Sequence, residues 1–155
     1  MSDRDIKSWT IEADVEPQLA FEYVADIAKH AEWSPKPFRV EPVPTSPPKR
    51  GDKFRSFGWA PGDKNHVNEV EVTNIDAPRS LELTSIDNGK RYVSRFDVEA
   101  TVDGTRITRT VDAPKPTGVV ALIFPVIFLL VIRPEVAKGM RMLQENVSKL
   151  SRVES

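Results

Sequence analysis

The chain has 155 residues, 39% hydrophobic and 29% charged, with a formal net charge of −1. That length suits one domain burying roughly two thirds of its unfolded surface, and the balanced charge excludes the long-range field that selects nucleic acid or anionic lipid. There are no cysteines, which excludes disulfides, thiol nucleophiles and thiolate metal sites.

The first residues, MSDRDIKSW, are charged and lack the apolar stretch of a secretory signal, so a cytoplasmic protein is expected. In KSWTIEAD, Trp9, Ile11 and Ala13 alternate with Ser8, Thr10 and Glu12, which predicts a half-buried strand. Pro17 suits the first turn of a helix. Ala20, Phe21, Val24, Ile27, Ala28 and Ala31 follow at helical spacing until Trp33-Ser34-Pro35. Six of the 13 prolines cluster in residues 35–51, which predicts a loop with at most one short strand, Phe38–Glu41.

Strands are predicted over Asp52–Trp59, Asn68–Ile75, Ser80–Ile86, Arg91–Ala100 and Thr105–Val111. Between them lie turns at Pro61–Asn65 and Asp76–Arg79, then hairpin signals at Asn88-Gly89 and Asp103-Gly104. An apolar run, Gly118–Ile132, comes next, and Pro125 is expected to divide it in two. A last helix is predicted from Pro134 to about residue 151, with Val136, Met140, Leu143, Val147 and Leu150 as its apolar stripe. The reading is a single α+β domain over 1–155, with residues 116–133 as an apolar lid before the terminal helix.

Several passages resemble the START-like (SRPBCC) superfamily, and within it the polyketide cyclase/dehydrase group. Pro17–Pro35, PQLAFEYVADIAKHAEWSP, is similar to that group's first helix with its Trp-x-Pro ending. Gly51-Asp52, the passage VTNIDAPRSL and Asp103-Gly104-Thr105 with Thr108 are similar to its strand openings and turns. The resemblance implies a helix-grip (Bet v 1-like) fold, a curved antiparallel sheet wrapped around the terminal helix with a cavity between them. It implies little about chemistry, since one fold hosts many functions.

The apolar run bears on that cavity. Gly118–Ile132 is 15 residues, about 22 Å as a helix, short of a hydrocarbon core of about 30 Å. Its aliphatic residues exceed what a small domain with one terminal helix can cover, and each left in water forgoes about 1.5–3 kcal/mol. A lid over an apolar ligand is the favoured reading, with Phe124 and Phe128 turned partly inward. A second copy of the chain, ordinary core packing and a membrane surface approached between Lys115 and Arg133 are the alternative covers.

Trp9, Phe54, Phe96, Phe124 and Phe128 are expected to meet inside as the pocket's aromatic lining. Tyr92 and Ser94, sharing a strand face with Phe96, would give it polar contacts, while Arg95 points outward with Asp97. Arg109 shares parity with Ile107 and Val111. It either enters the cavity, where it needs a partner or an anionic ligand, or snorkels out at the strand end. Gly139 leaves room for a ligand beside Met140, or else allows close packing on a strand. Trp33 and Trp59 read as edge or mouth residues, His30 as solvated or capping, and His66 as exposed. No metal site, cofactor motif or nucleophilic elbow is present in the pattern.

The favoured function is binding or transport of a hydrophobic small molecule: a lipid, isoprenoid or polyketide-like compound. The first alternative is a cyclase or dehydratase, which needs an acid or base in the cavity and has only Tyr92, Arg109 and His66 to offer. The second is a docking module acting through residues 118–132.

Overall fold

The computed structural model describes residues 3–60 and 63–154. Seven antiparallel strands form one curved sheet: β1 (Arg4–Ala13), β2 (Arg39–Glu41), β3 (Lys53–Ala60), β4 (Asp63–Asp76), β5 (Ser80–Asp87), β6 (Lys90–Ala100) and β7 (Thr105–Pro114). Their order across the sheet is β1-β7-β6-β5-β4-β3-β2. Tight turns build most of this meander. Asn88 (φ 52°) and Gly89 (φ 76°) both take left-handed backbone, as a two-residue hairpin turn of right-handed twist requires. At the next hairpin, a Cβ on Gly104 would lie 2.3 Å from the carbonyl oxygen of Ala13. Only glycine lets this turn pack against the end of β1. Beside it, buried Thr105 donates its hydroxyl to Val15 O at 2.6 Å. The expected turn at Pro61–Asn65 lies partly outside the described residues.

The sheet's inner face carries alternate residues of each strand. Trp9, Arg109, Phe96 and Leu81 stand opposite one another on β1, β7, β6 and β5. Arg95 and Asp97, of the other parity, form an ion pair on the outer face. The core joins Ile107, Phe96, Leu81 and Val72 to Phe21 and Val24 of α1 (Pro17–Ala25) and to the long terminal helix.

The region after α1 departs from the expected continuous helix. Asp26 takes extended backbone, and Ile27–Trp33 forms a 3₁₀ helix. With three residues per turn, positions i, i+3 and i+6 share a face. Hence Ile27, His30 and Trp33 are buried while Ala28 and Ala31, expected on the apolar stripe, are exposed.

The apolar run also differs from expectation. Pro125 does not divide it. α2 (Val119–Ile127), a π turn (Phe128–Ile132) and α3 (Arg133–Glu154) run on without a break. Proline lacks the N–H and crowds the preceding turn, and the hydrogen-bond ladder widens beyond it. Phe128 N–H is shared between the Phe124 and Pro125 carbonyls, and Arg133 N–H reaches back five residues to Phe128 O. From there α3 buries Met140, Leu143 and Val147 against the sheet, the stripe expected from their spacing.

Candidate functional site

A cavity of about 450 Å³ lies between the sheet, the start of α3 and the segment after the 3₁₀ helix, within the range of small-molecule sites. Each wall follows from local periodicity. The floor takes every second residue of four neighbouring strands: Phe54, Ser56 and Gly58; His66, Asn68 and Val70; Leu83 and Ser85; Ser94 and Phe96. The roof is one helical face, Ile132, Glu135, Val136 and Gly139. The third side is His30 with Trp33–Phe38, and Arg109 of β7 completes the lining.

Arg109 is half-buried and lines the cavity. Its guanidinium carbon lies 5.5 Å from the Phe96 ring centre and 5.9 Å from that of Trp33, so two aromatic faces support the cation. It makes no hydrogen bond or ion pair among the described residues, and its Nε is wholly shut away. Burial alone pulls its pKa down to about 10; it stays a cation at neutral pH. Ser94 Oγ, Asn68 Oδ1 and Trp33 Nε1 are likewise buried without a partner among the described residues. All four belong to residues of this one cavity. Buried polar atoms in folded proteins are nearly always paired, and these unpaired ones all lie in the walls of one cavity.

The two histidines contribute differently. His30 is buried, not solvated as expected, because the 3₁₀ spacing turns it inward. Its Nε2–H donates to Val24 O at 2.7 Å, and its ring lies 4.9 Å from Trp33 and 6.0 Å from Phe96. Burial pushes its pKa down to about 4; the bond to Val24 opposes this and the Arg109 charge adds to it. It is therefore neutral at physiological pH and a weak base. His66 is half-buried rather than exposed, because β4 begins five residues earlier than the predicted Asn68. Its Nε2 bonds Asp87 at 2.8 Å and its Nδ1 bonds Asp63 at 3.1 Å. Those two carboxylates, Asp87 foremost, raise its pKa. Both its nitrogens are occupied, leaving neither free for proton transfer.

Of the residues expected to bind ligand, Phe54, Ser94, Phe96, Arg109 and Gly139 line the cavity. Met140 is buried in the core directly beside Gly139. Trp9, Phe124 and Phe128 form a separate ring cluster at the β1 edge, with Trp9–Phe128 at 6.3 Å and Phe124–Phe128 at 6.2 Å. Tyr92 is half-buried opposite Ser85 and is not in the cavity lining. Gly139 owes its identity to close packing. A Cβ there would meet Trp33 O at 3.2 Å and Pro35 Cδ at 3.4 Å, so the neighbour is the cavity's side wall rather than a strand. Trp33 is a buried wall residue, not an edge one; the Trp59 side chain lies outside the described residues.

Sequence reasoning missed His30, Asn68 and the Pro35–Phe38 wall. For Asn68, its parity with Val70 and Val72 carried the signal. For the proline loop, the signal was Gly58 inside a strand: a Cβ there would meet the Phe38 ring at 3.2 Å.

The model of the family described as "Polyketide cyclase / dehydrase and lipid transport" matches residues 8–148. No curated protein sequence matches the chain. Among solved structures, a protein from Rhodobacter sphaeroides is similar, with TM-score 0.69 and 13% identity over 95% of this chain and 99% of that one. A protein from Thermus thermophilus gives TM-score 0.69 and 15% identity, over 96% and 99%. A norcoclaurine synthase point mutant from Thalictrum, in complex with a transition-state analogue, gives TM-score 0.67 and 14% identity, over 96% of each chain. At these identities the structures speak for the fold, a helix grip of the Bet v 1 kind. The family match covers the strands, the cavity walls and most of α3, and by it the chain belongs to the polyketide cyclase/dehydrase and lipid-transport family of the SRPBCC superfamily.

Proposed function

We propose that the protein binds or carries a hydrophobic small molecule in the cavity beneath α3. The supporting observation is a partly open cavity of about 450 Å³ whose aromatic and aliphatic walls hold a few unpartnered polar atoms, the composition typical of ligand sites. A lipid, an isoprenoid and a polyketide-like compound all fit that description. The side chains favour binding over proton transfer: His30 is a weak base and both nitrogens of His66 are engaged. Native mass spectrometry of gently purified protein, with a thermal-shift screen of those three classes, tests the reading. A co-purifying apolar species or a clear stabilisation is expected. A clean apoprotein mass with no stabilisation across the panel would overturn it.

A second reading concerns the outer face of α2. Val119, Leu122 and Leu130 are 76%, 81% and 73% exposed, and no residue of α2 or the π turn is fully buried. The continuous helix is long and apolar enough to cross a membrane by length and composition. However, its part beyond Val136 is committed to the sheet. The free part, about 20 Å, suits lying in the headgroup boundary with Lys115 and Arg133 at its ends. We infer that this face docks on a lipid surface while the cavity loads. Flotation with phosphatidylcholine/phosphatidylglycerol vesicles is expected for wild type and lost in Leu122→Asp/Leu130→Asp. Equal flotation of both, or none by either, would remove this reading.

A further inference from the structure

We propose that the cavity's occupant is an anion, an apolar molecule bearing one carboxylate whose charged head is held by Arg109. This deepens the ligand-binding reading above and rests on it. A guanidinium held largely out of water between two rings calls for a counter-charge, and Arg109 has no ion pair among the described residues. Among the described residues Glu135 is the one acidic residue of the lining, and it pairs with Lys36 at 3.9 Å. Asp63 and Asp87 are engaged with His66. The missing charge is left for a ligand to bring.

Three of the four unpartnered atoms specify its chemistry; the fourth, Asn68 Oδ1, is an acceptor and stands outside this match. Arg109 and the Trp33 indole N–H can only donate, and the Ser94 hydroxyl can donate. Ser94 is two residues from Phe96, which stands opposite Arg109 in the sheet. A group that only accepts hydrogen bonds, an ionised carboxylate, satisfies all three, and arginine meets it with a two-pronged fork. The count of charges favours a monoanion over a phosphate, because the lining's other lysine or arginine, Lys36, already pairs with Glu135. The rings of Phe96 and Trp33 already hold the guanidinium in place, so little ordering remains to be done on binding. Phe54, Val70, Leu83 and Val136 then surround the ligand's body.

The test compares matched acids and alcohols on two scaffolds, decanoate with 1-decanol and 2-naphthoate with 2-naphthalenemethanol. Affinities are measured by calorimetry at pH 7.5 on the whole chain. In wild type, at least one acid should bind about tenfold or more tighter than its alcohol. In Arg109→Met that ratio should fall to within about twofold with alcohol affinity retained, and Arg109→Lys should keep part of it. Ser94→Ala should weaken the acid several-fold and leave the alcohol unchanged, roughly the effect of one lost charge-assisted hydrogen bond. The lysine and alanine variants carry the test if the methionine variant fails to fold. Equal affinity of acid and alcohol in wild type, or an acid preference that survives loss of Arg109, overturns the anion proposal and leaves the ligand-binding reading standing. If none of the four probes binds while the native-mass and thermal-shift screen finds a ligand, the anion proposal alone falls; if that screen is also empty, both fall.

Discussion

Arg109 and His30 are neighbours with opposite obligations. The arginine keeps its charge in a place that opposes it, and the histidine gives its charge up. Replacing Arg109 by Met removes an uncompensated cation and leaves a flexible apolar side chain against Phe96 and Trp33. The unliganded variant should be more stable than wild type by about 1–2 kcal/mol, or about 2–8 °C in Tm for a chain of this size. Calorimetry without ligand checks this, and a lower Tm would mean that the cation has a structural task. For His30, the folded pKa of about 4 lies below the ordinary 6.5, so the unfolded chain binds the extra proton. His30 stabilisation is therefore full above pH 6.5 and is lost as pH falls towards 4. The whole swing is about 3 kcal/mol. His30→Gln keeps an N–H for Val24 O and should flatten the loss of Tm between pH 6.5 and 4. His66, with its raised pKa, works in the other direction: its smaller contribution is present below pH 6.5 and fades as pH climbs past its folded value. At this scale the sequence was only partly readable. Parity placed Arg109, Ser94 and Phe96 on the inner face. No parity rule reveals that a histidine sits on a three-residue period.

The elements were easier to read where short-range chemistry decides them. Asn88-Gly89 and Asp103-Gly104 announce their turns because few residues tolerate the backbone involved. The second is also a contact. Gly104→Ala would drive a methyl into the Ala13 carbonyl and should cost at least about 2 kcal/mol through forced backbone movement. Urea unfolding measures it, and a loss under about 0.5 kcal/mol, the size of an ordinary surface change, would show that the turn has slack. The elements read less well were those decided by tertiary packing. The helix after Pro17 stops at Ala25 because burying Ile27, His30 and Trp33 together requires the tighter winding. The apolar run keeps winding past Pro125 because the ladder can lengthen rather than break. Both outcomes depend on neighbours that a local pattern does not contain.

At the scale of the molecule, the grip of sheet on helix was legible from the succession of one helix, a meander and a long apolar stripe. The floor of the cavity follows from that architecture, since alternate residues of a curved sheet must face the helix. Its side wall does not, because Pro35–Phe38 belongs to an irregular segment whose course only the whole fold determines. The π turn joins the two halves of the longest helix, and its one surplus residue sets the azimuth of α2 against α3. A helix advances about 100° per residue, so excising Leu130 would restore even winding and swing α2 by roughly that angle. Phe128 should leave Trp9, read as loss of their proton–proton NOE, while the sheet's own cross-strand NOEs persist. The oily flank would then turn from solvent toward the body. In that sense a single inserted residue decides which way the molecule shows its grease, and evolution can re-aim that flank without touching a single cavity side chain.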